Sequence, residues 1–182
     1  MGKLRAISML FSYFNRDPSN IRNLREGGGG LLDIGCYAIT LSRFAFGEEP
    51  LRAVGLMDYD PEFRTDRLTS AMLEFPSGQG IFLCSTQLER YQRIDLLGAT
   101  GRIAIEVPVN APNDTPTRIF INDRIEEIEV CDQYTIQGEL FSRAILEDGP
   151  VPVPLEDSLG NMLAIDAIFR SVRSGHWETP QP

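Results

Sequence analysis

Leu68-Thr69-Ser70-Ala71-Met72-Leu73-Glu74-Phe75-Pro76-Ser77-Gly78, followed by Gly80 to Glu89, is the stretch on which the fold turns. Residues of strand character run to Phe75, a Pro-Ser-Gly turn follows, and a second such run begins at once. Two extended runs joined by a short turn predict an antiparallel hairpin. The same grammar holds outward in both directions. Leu51 to Asp60 is a strand on the N-terminal side. On the C-terminal side, Gln92 to Leu97 turns at Gly98-Ala99-Thr100-Gly101 into Arg102 to Val107. Arg118 to Ile121 turns at Asn122-Asp123 into Arg124 to Val130, after a proline-bearing loop over Val109 to Thr117.

The flanks read differently. Leu4 to Phe14 is extended in character, and Asn15 to Asn20 is rich in turn formers. Leu31, Leu32, Ile34, Ala38, Ile39, Leu41 and Ala45 recur at helical spacing until Gly47 and Pro50 stop them. Tyr134 to Leu146 is a second helix, with Gln137, Leu140, Phe141, Ala144 and Ile145 at helical spacing. Glu156 to Ser174 is a third, with Leu159, Met162, Leu163, Ala167 and Val172 expected to be buried and Gly175 ending it. The predicted class is α+β: a large, open, mostly antiparallel sheet with helices on one face.

Composition narrows the function. The chain has 182 residues, 42% hydrophobic and 24% charged, enough to bury one sizeable core. It carries a formal charge of −9, and Lys3 is its only lysine. Such a surface repels phosphate backbones and disfavours nucleic acid, while leaving arginine as a local anion clamp. No apolar run reaches membrane-spanning length, and the first residues lack a secretory signal. Cys36, Cys84 and Cys131 are odd in number and widely spaced, so neither disulfides nor a zinc site is expected. All three are read as buried, reduced thiols in a cytoplasmic protein.

No Gly-x-Gly-x-x-Gly follows a strand, and Gly27 to Gly30 lacks the Lys-Ser/Thr of a phosphate loop. A Rossmann domain is therefore not expected in this chain, nor tight binding of a dinucleotide by it alone. The opening strand starts almost at the first residue, which points to a truncated or excised chain.

The chemistry concentrates in Gly28-Gly29-Gly30-Leu31-Leu32-Asp33-Ile34-Gly35-Cys36-Tyr37. Asp33 and Tyr37 stand four apart in the first turns of a helix and share a face. The glycines permit close backbone approach to a ligand or a second domain. A tyrosine can exchange a proton with a forming alkoxide, and an aspartate can orient a substrate hydroxyl. Spacing alone leaves another account open: Asp33 favouring the helix N-terminus and Tyr37 packed in the core.

This segment resembles the signature of the glucose–fructose oxidoreductase and inositol dehydrogenase (Gfo/Idh/MocA) family, in its tyrosine variant. Phe11-Ser12-Tyr13-Phe14, Asn20-Ile21-Arg22, the Tyr134/Gln137/Phe141 pattern and Glu156 to Gly175 resemble the family elsewhere. The resemblance implies a C-terminal domain like that of glyceraldehyde-3-phosphate dehydrogenase, spanning 1–182, that dimerises through its open sheet. It also implies NAD or NADP bound by an N-terminal domain, a sugar, polyol or cyclic diol as substrate, and no metal. Tyr37 would be the proton donor and acceptor and Asp33 a substrate ligand. A lysine from the missing domain would complete the set, so the chain alone is expected to be inactive. Arg22 and Asn161 are further substrate-binding candidates, and Gly28, Gly29 and Gly30 would lie near the cofactor. A non-catalytic dimerisation or sugar-binding module is the alternative. His176, alone in the tail, is a poor general base, and Glu126-Glu127-Ile128-Glu129 reads as a solvated strand.

Overall fold

Period-two alternation lays eight strands into one sheet. The computed structural model describes residues 1–181. The strands are β1 (Leu4–Phe14), β2 (Arg52–Tyr59), β3 (Asp66–Phe75), β4 (Gly78–Ser85), β5 (Gln87–Gly98), β6 (Arg102–Glu106), β7 (Thr117–Ile121) and β8 (Arg124–Ile128). Their order is β2-β3-β4-β1-β5-β6-β7-β8. Every neighbouring pair is antiparallel except β1 and β4, which run parallel. The first strand thus lies in the middle, with the β3–β4 hairpin on one side and β5 on the other.

Three helices follow the predicted spans: α1 (Cys36–Phe46), α2 (Gln133–Leu146) and α3 (Leu155–Ser174). Gly47 ends α1 and Gly175 ends α3, each in the left-handed conformation that glycine tolerates best. A π-helical turn, Leu31–Gly35, precedes α1. One face of the sheet presents Ile7, Met9, Phe11, Leu73, Phe82 and Cys84 to this turn, α1 and α3, and together they form the core. No helix among the described residues is long and apolar enough to cross a membrane.

Three expectations need correction. In α3 the buried residues are Ala164, Ile165, Ala167, Ile168 and Ser171, whereas Leu159 and Met162 are exposed. The helix lies so close to β2 that a Cβ on Gly55 would stand 2.7 Å from the Ile168 side chain, and the Ser171 hydroxyl accepts from Gly55 N at 2.9 Å. The face that meets β2 is set by this docking, with Gly55 making room for Ile168, and it includes the expected Ala167 but not Leu159 or Met162. In α2 no residue is buried. Its apolar stripe, with Ile136, Leu140 and Phe141, instead faces Val151–Leu155 across an open groove of about 700 Å³. All three thiols are free, but only Cys84 is buried; Cys36 is half-buried and Cys131 exposed. Cys131 lies in the segment between β8 and α2.

Candidate active site

The glycines before α1 act on the chain itself. Gly29 adopts φ +110°, and a Cβ there would fall 2.1 Å from Asp66 Oδ1. Asp66, buried at the start of β3, accepts Leu31 N at 2.7 Å and the Thr69 hydroxyl at 2.6 Å. Burial is the largest influence on its carboxyl and raises the pKa, while those donors pull the other way. A buried carboxylate is tolerated only with such donors, so Asp66 ties the π turn to the sheet. Gly35 completes the fit, because a Cβ there would lie 2.9 Å from Cys84 Sγ.

That anchor sets the direction of the turn's polar face. Asp33, Ile34 and Tyr37 line a cleft of about 310 Å³, facing Phe11, Ser12 and Tyr13 of β1, Arg22 of the following loop, Arg90 and Gln92 of β5, and Asn110. Two groups hold the Asp33 carboxylate. The Tyr13 hydroxyl donates to Oδ2, and Arg22 Nε donates to Oδ1 at 2.7 Å. Arg22 is half exposed, so its ion pair contributes about 0–1 kcal/mol. A hydrogen bond from Tyr13 to a charged acceptor is worth roughly 1.5–3 kcal/mol, which makes Tyr13 the stronger orienting partner.

Tyr37 is 42% exposed, enough for its hydroxyl to meet a ligand. Its ring stands 6.1 Å from that of Phe11. Burial is the main reason its pKa is raised, with Cys36, Asp33 and Tyr134 adding to the rise and Arg22 opposing it. Burial and Asp33 likewise raise Tyr13. Both phenols therefore hold their protons at neutral pH.

The sequence matches the model of the GFO/IDH/MocA C-terminal domain over residues 1–104. The chain belongs to the GFO/IDH/MocA family. It is 39% identical over 190 residues to an uncharacterised oxidoreductase, ORF334, of Rhizobium meliloti, covering 98% of this chain and 57% of that protein. It is 29% identical over 190 residues to D-xylose 1-dehydrogenase (NADP(+)) 2 of Haloferax volcanii, covering 96% of this chain and 56% of that one. The aldose-aldose oxidoreductase of Caulobacter crescentus, solved with glycerol, shares the fold at TM-score 0.85 and 24% identity, over 98% of this chain and 56% of its own. The chain spans about half the length of the relatives it matches.

Within this GFO/IDH/MocA domain the sequence candidates divide. Asp33, Tyr37 and Arg22 meet in the cleft. Asn161 is not among its lining residues; it sits on α3 behind the site, where its amide donates to the Cys36 carbonyl at 3.4 Å. Gly28, Gly29 and Gly30 do not line the cleft either. Their lack of side chains serves Asp66 and the Arg22 and Leu24 carbonyls, which would lie within 3.4 Å of an added Cβ. Sequence reasoning did not single out four of the other residues that line the cleft of this GFO/IDH/MocA domain: Tyr13, Arg90, Gln92 and Asn110. Tyr13 is marked only by its place in the segment before the glycines. The other three have no local signal, because strand pairing alone brings β5 beside β1, with Gln92 opposite Phe11.

Proposed function

We propose that this chain is the substrate-binding and dimerisation half of an NAD(P)-dependent oxidoreductase acting on the CH–OH group of a sugar, polyol or cyclic diol. The observation that carries the reading is the convergence of Asp33 and Tyr37 on one polar cleft, with Asp33 fixed by Tyr13 and Arg22. Membership of the family favours it over a non-catalytic binding module. The relation to D-xylose 1-dehydrogenase (NADP(+)) 2 of Haloferax volcanii supports NADP or NAD as cofactor.

A bound nicotinamide supplies or accepts the hydride. Phe11, Ile34 and Tyr37 give the cleft the apolar flank that such a ring needs, beside polar groups suited to hydroxyls. In the reducing direction, the Tyr37 hydroxyl would give its proton to the oxygen of the carbonyl that the nicotinamide would reduce. In the oxidising direction Tyr37 takes the alcohol proton. Its raised pKa loads it for donation, and a cation brought by the dinucleotide-binding half would favour the phenolate needed for the reverse step. The Asp33 carboxylate accepts a neighbouring substrate hydroxyl and sets the reacting carbon in place.

The open face of the sheet supports dimerisation. Leu56, Met72 and Ile81 are exposed there around a shallow, mostly apolar groove.

The test joins this chain to the dinucleotide-binding half of a relative and compares Tyr37 with Tyr37→Phe. Removal of a general acid–base group should lower kcat by roughly 10²–10⁴. Turnover within about tenfold of the parent would reject the role given to Tyr37.

A further inference from the structure

The cleft carries two guanidiniums, Arg22 and Arg90, against a single carboxylate, Asp33. This local excess of positive charge sits on a chain whose net charge is −9. Arg22 Nε is committed to Asp33. Arg90 has no ion pair and no hydrogen bond among the described residues, whereas ten of the sixteen arginines pair with a carboxylate there. It stands on β5 two residues before Gln92, so both side chains project from the same face of the sheet into the cleft.

The wall around Arg90 offers donors. The Gln92 amide nitrogen donates to Asn110 Oδ1 at 2.9 Å and keeps a second N–H without a protein partner among the described residues, while its Oε1 takes Val109 N and Asn110 N at 3.4 Å and 3.3 Å. Asn110 Oδ1 is occupied by that bond, which leaves its Nδ2 hydrogens without a protein partner among the described residues. A free guanidinium and free amide donors therefore share one side of the cleft, while Asp33 and Tyr37 occupy the other.

We infer that the substrate is a sugar or polyol acid, whose hydroxyl-bearing carbon lies at Tyr37 and Asp33 and whose carboxylate is taken by Arg90. The inference rests on the cleft being the substrate site of the proposed oxidoreductase, and names the class of molecule it takes. Arginine's planar fork matches a carboxylate through two parallel hydrogen bonds, and Asn110 can add a third. A neutral aldose of the same size would leave the Arg90 charge unmatched.

The test is binding to this 182-residue chain, followed by NMR chemical shifts, with D-galacturonate, neutral D-galactose and acetate as probes. Galacturonate is expected to bind about tenfold or more tighter than galactose, the amount a charge-assisted hydrogen bond contributes, and tighter than acetate. Arg90→Ala should erase the preference by weakening galacturonate alone; the residue is exposed, so the fold should tolerate the change, and an unchanged amide spectrum would verify this. Arg90→Lys should keep part of it. Added salt should weaken galacturonate more than galactose. The inference is overturned if galactose binds as well as galacturonate, if neither binds, if acetate matches galacturonate, or if the preference survives in Arg90→Ala. Those outcomes are separate from the acid–base reading, which stands or falls on the turnover of Tyr37→Phe.

Discussion

The Tyr13 hydroxyl donates to the Asp33 carboxylate, linking the central strand to the turn that opens the first helix. The bond explains how a carboxylate on a π-helical turn keeps one orientation at the rim of an open cleft. In Tyr13→Phe, Asp33 should lose its stronger orienting partner and keep only the solvent-exposed Arg22. In the fusion with a relative's dinucleotide-binding half, KM should rise about tenfold, corresponding to the loss of about 1.5 kcal/mol. The fall in kcat should be smaller than that of Tyr37→Phe. Steady-state kinetics of the two variants side by side would check this, and equal losses in kcat would contradict the division of roles.

Gly27 and Gly29 form an internal control for the anchoring of the site. Both have positive φ, +85° and +110°, but only Gly29 has a neighbour in the way. Gly27→Ala should cost about 1–2 kcal/mol, the strain of an L-residue in that region. Gly29→Ala adds a collision with the Asp66 carboxylate and should cost at least about 2 kcal/mol more, by displacing the acceptor of Leu31 N. Urea unfolding of both variants measures the difference.

Asp60 should govern part of the acid stability. Burial pushes its carboxyl upward, but donors from Gln87, Phe63 N and Glu62 N and the charge of Arg16 outweigh it and hold the pKa at about 2. An unfolded aspartate titrates at about 3.9. A folded-state pKa below the unfolded value means stability that is fully present above about pH 4 and is lost as the pH falls toward 2. Unfolding free energy measured across that window should fall less steeply in Asp60→Asn than in the parent.

Thiol chemistry should sort the three cysteines. Cys131 is exposed and should react first with a disulfide reagent at pH 8. Burial lifts the half-buried Cys36 to about 11 and also raises the enclosed Cys84. A titration should therefore count one fast thiol in the native chain and three after denaturation. Cys131→Ser should abolish the fast phase.

The antiparallel meander was legible because hairpins are local. The turns at Pro76 to Gly78, Gly98 to Gly101 and Asn122-Asp123 stand where the sequence puts them. The Gly-rich segment also identified Asp33 and Tyr37 as neighbours on one face, and both line the cleft. Misreadings arose where long-range packing decides. Leu159 and Met162 look like core residues at helical spacing, yet the docking of α3 on β2 buries Ala164, Ile165 and Ile168 beside the expected Ala167. The glycines look like a ligand cradle until Asp66, more than thirty residues later, is found against Gly29.

Local spacing by itself determined the strands, the helices and the pairing of a carboxylate with a phenol at the start of α1, because each depends on residues a few positions apart. Only the tertiary structure decided which groups complete the site. Inserting β1 between β4 and β5 brings Tyr13 and Arg90 to one cleft from distant parts of the chain. The free energy of that arrangement comes from burying the sheet's inner face against α1 and α3, a collective term that no short stretch of sequence contains.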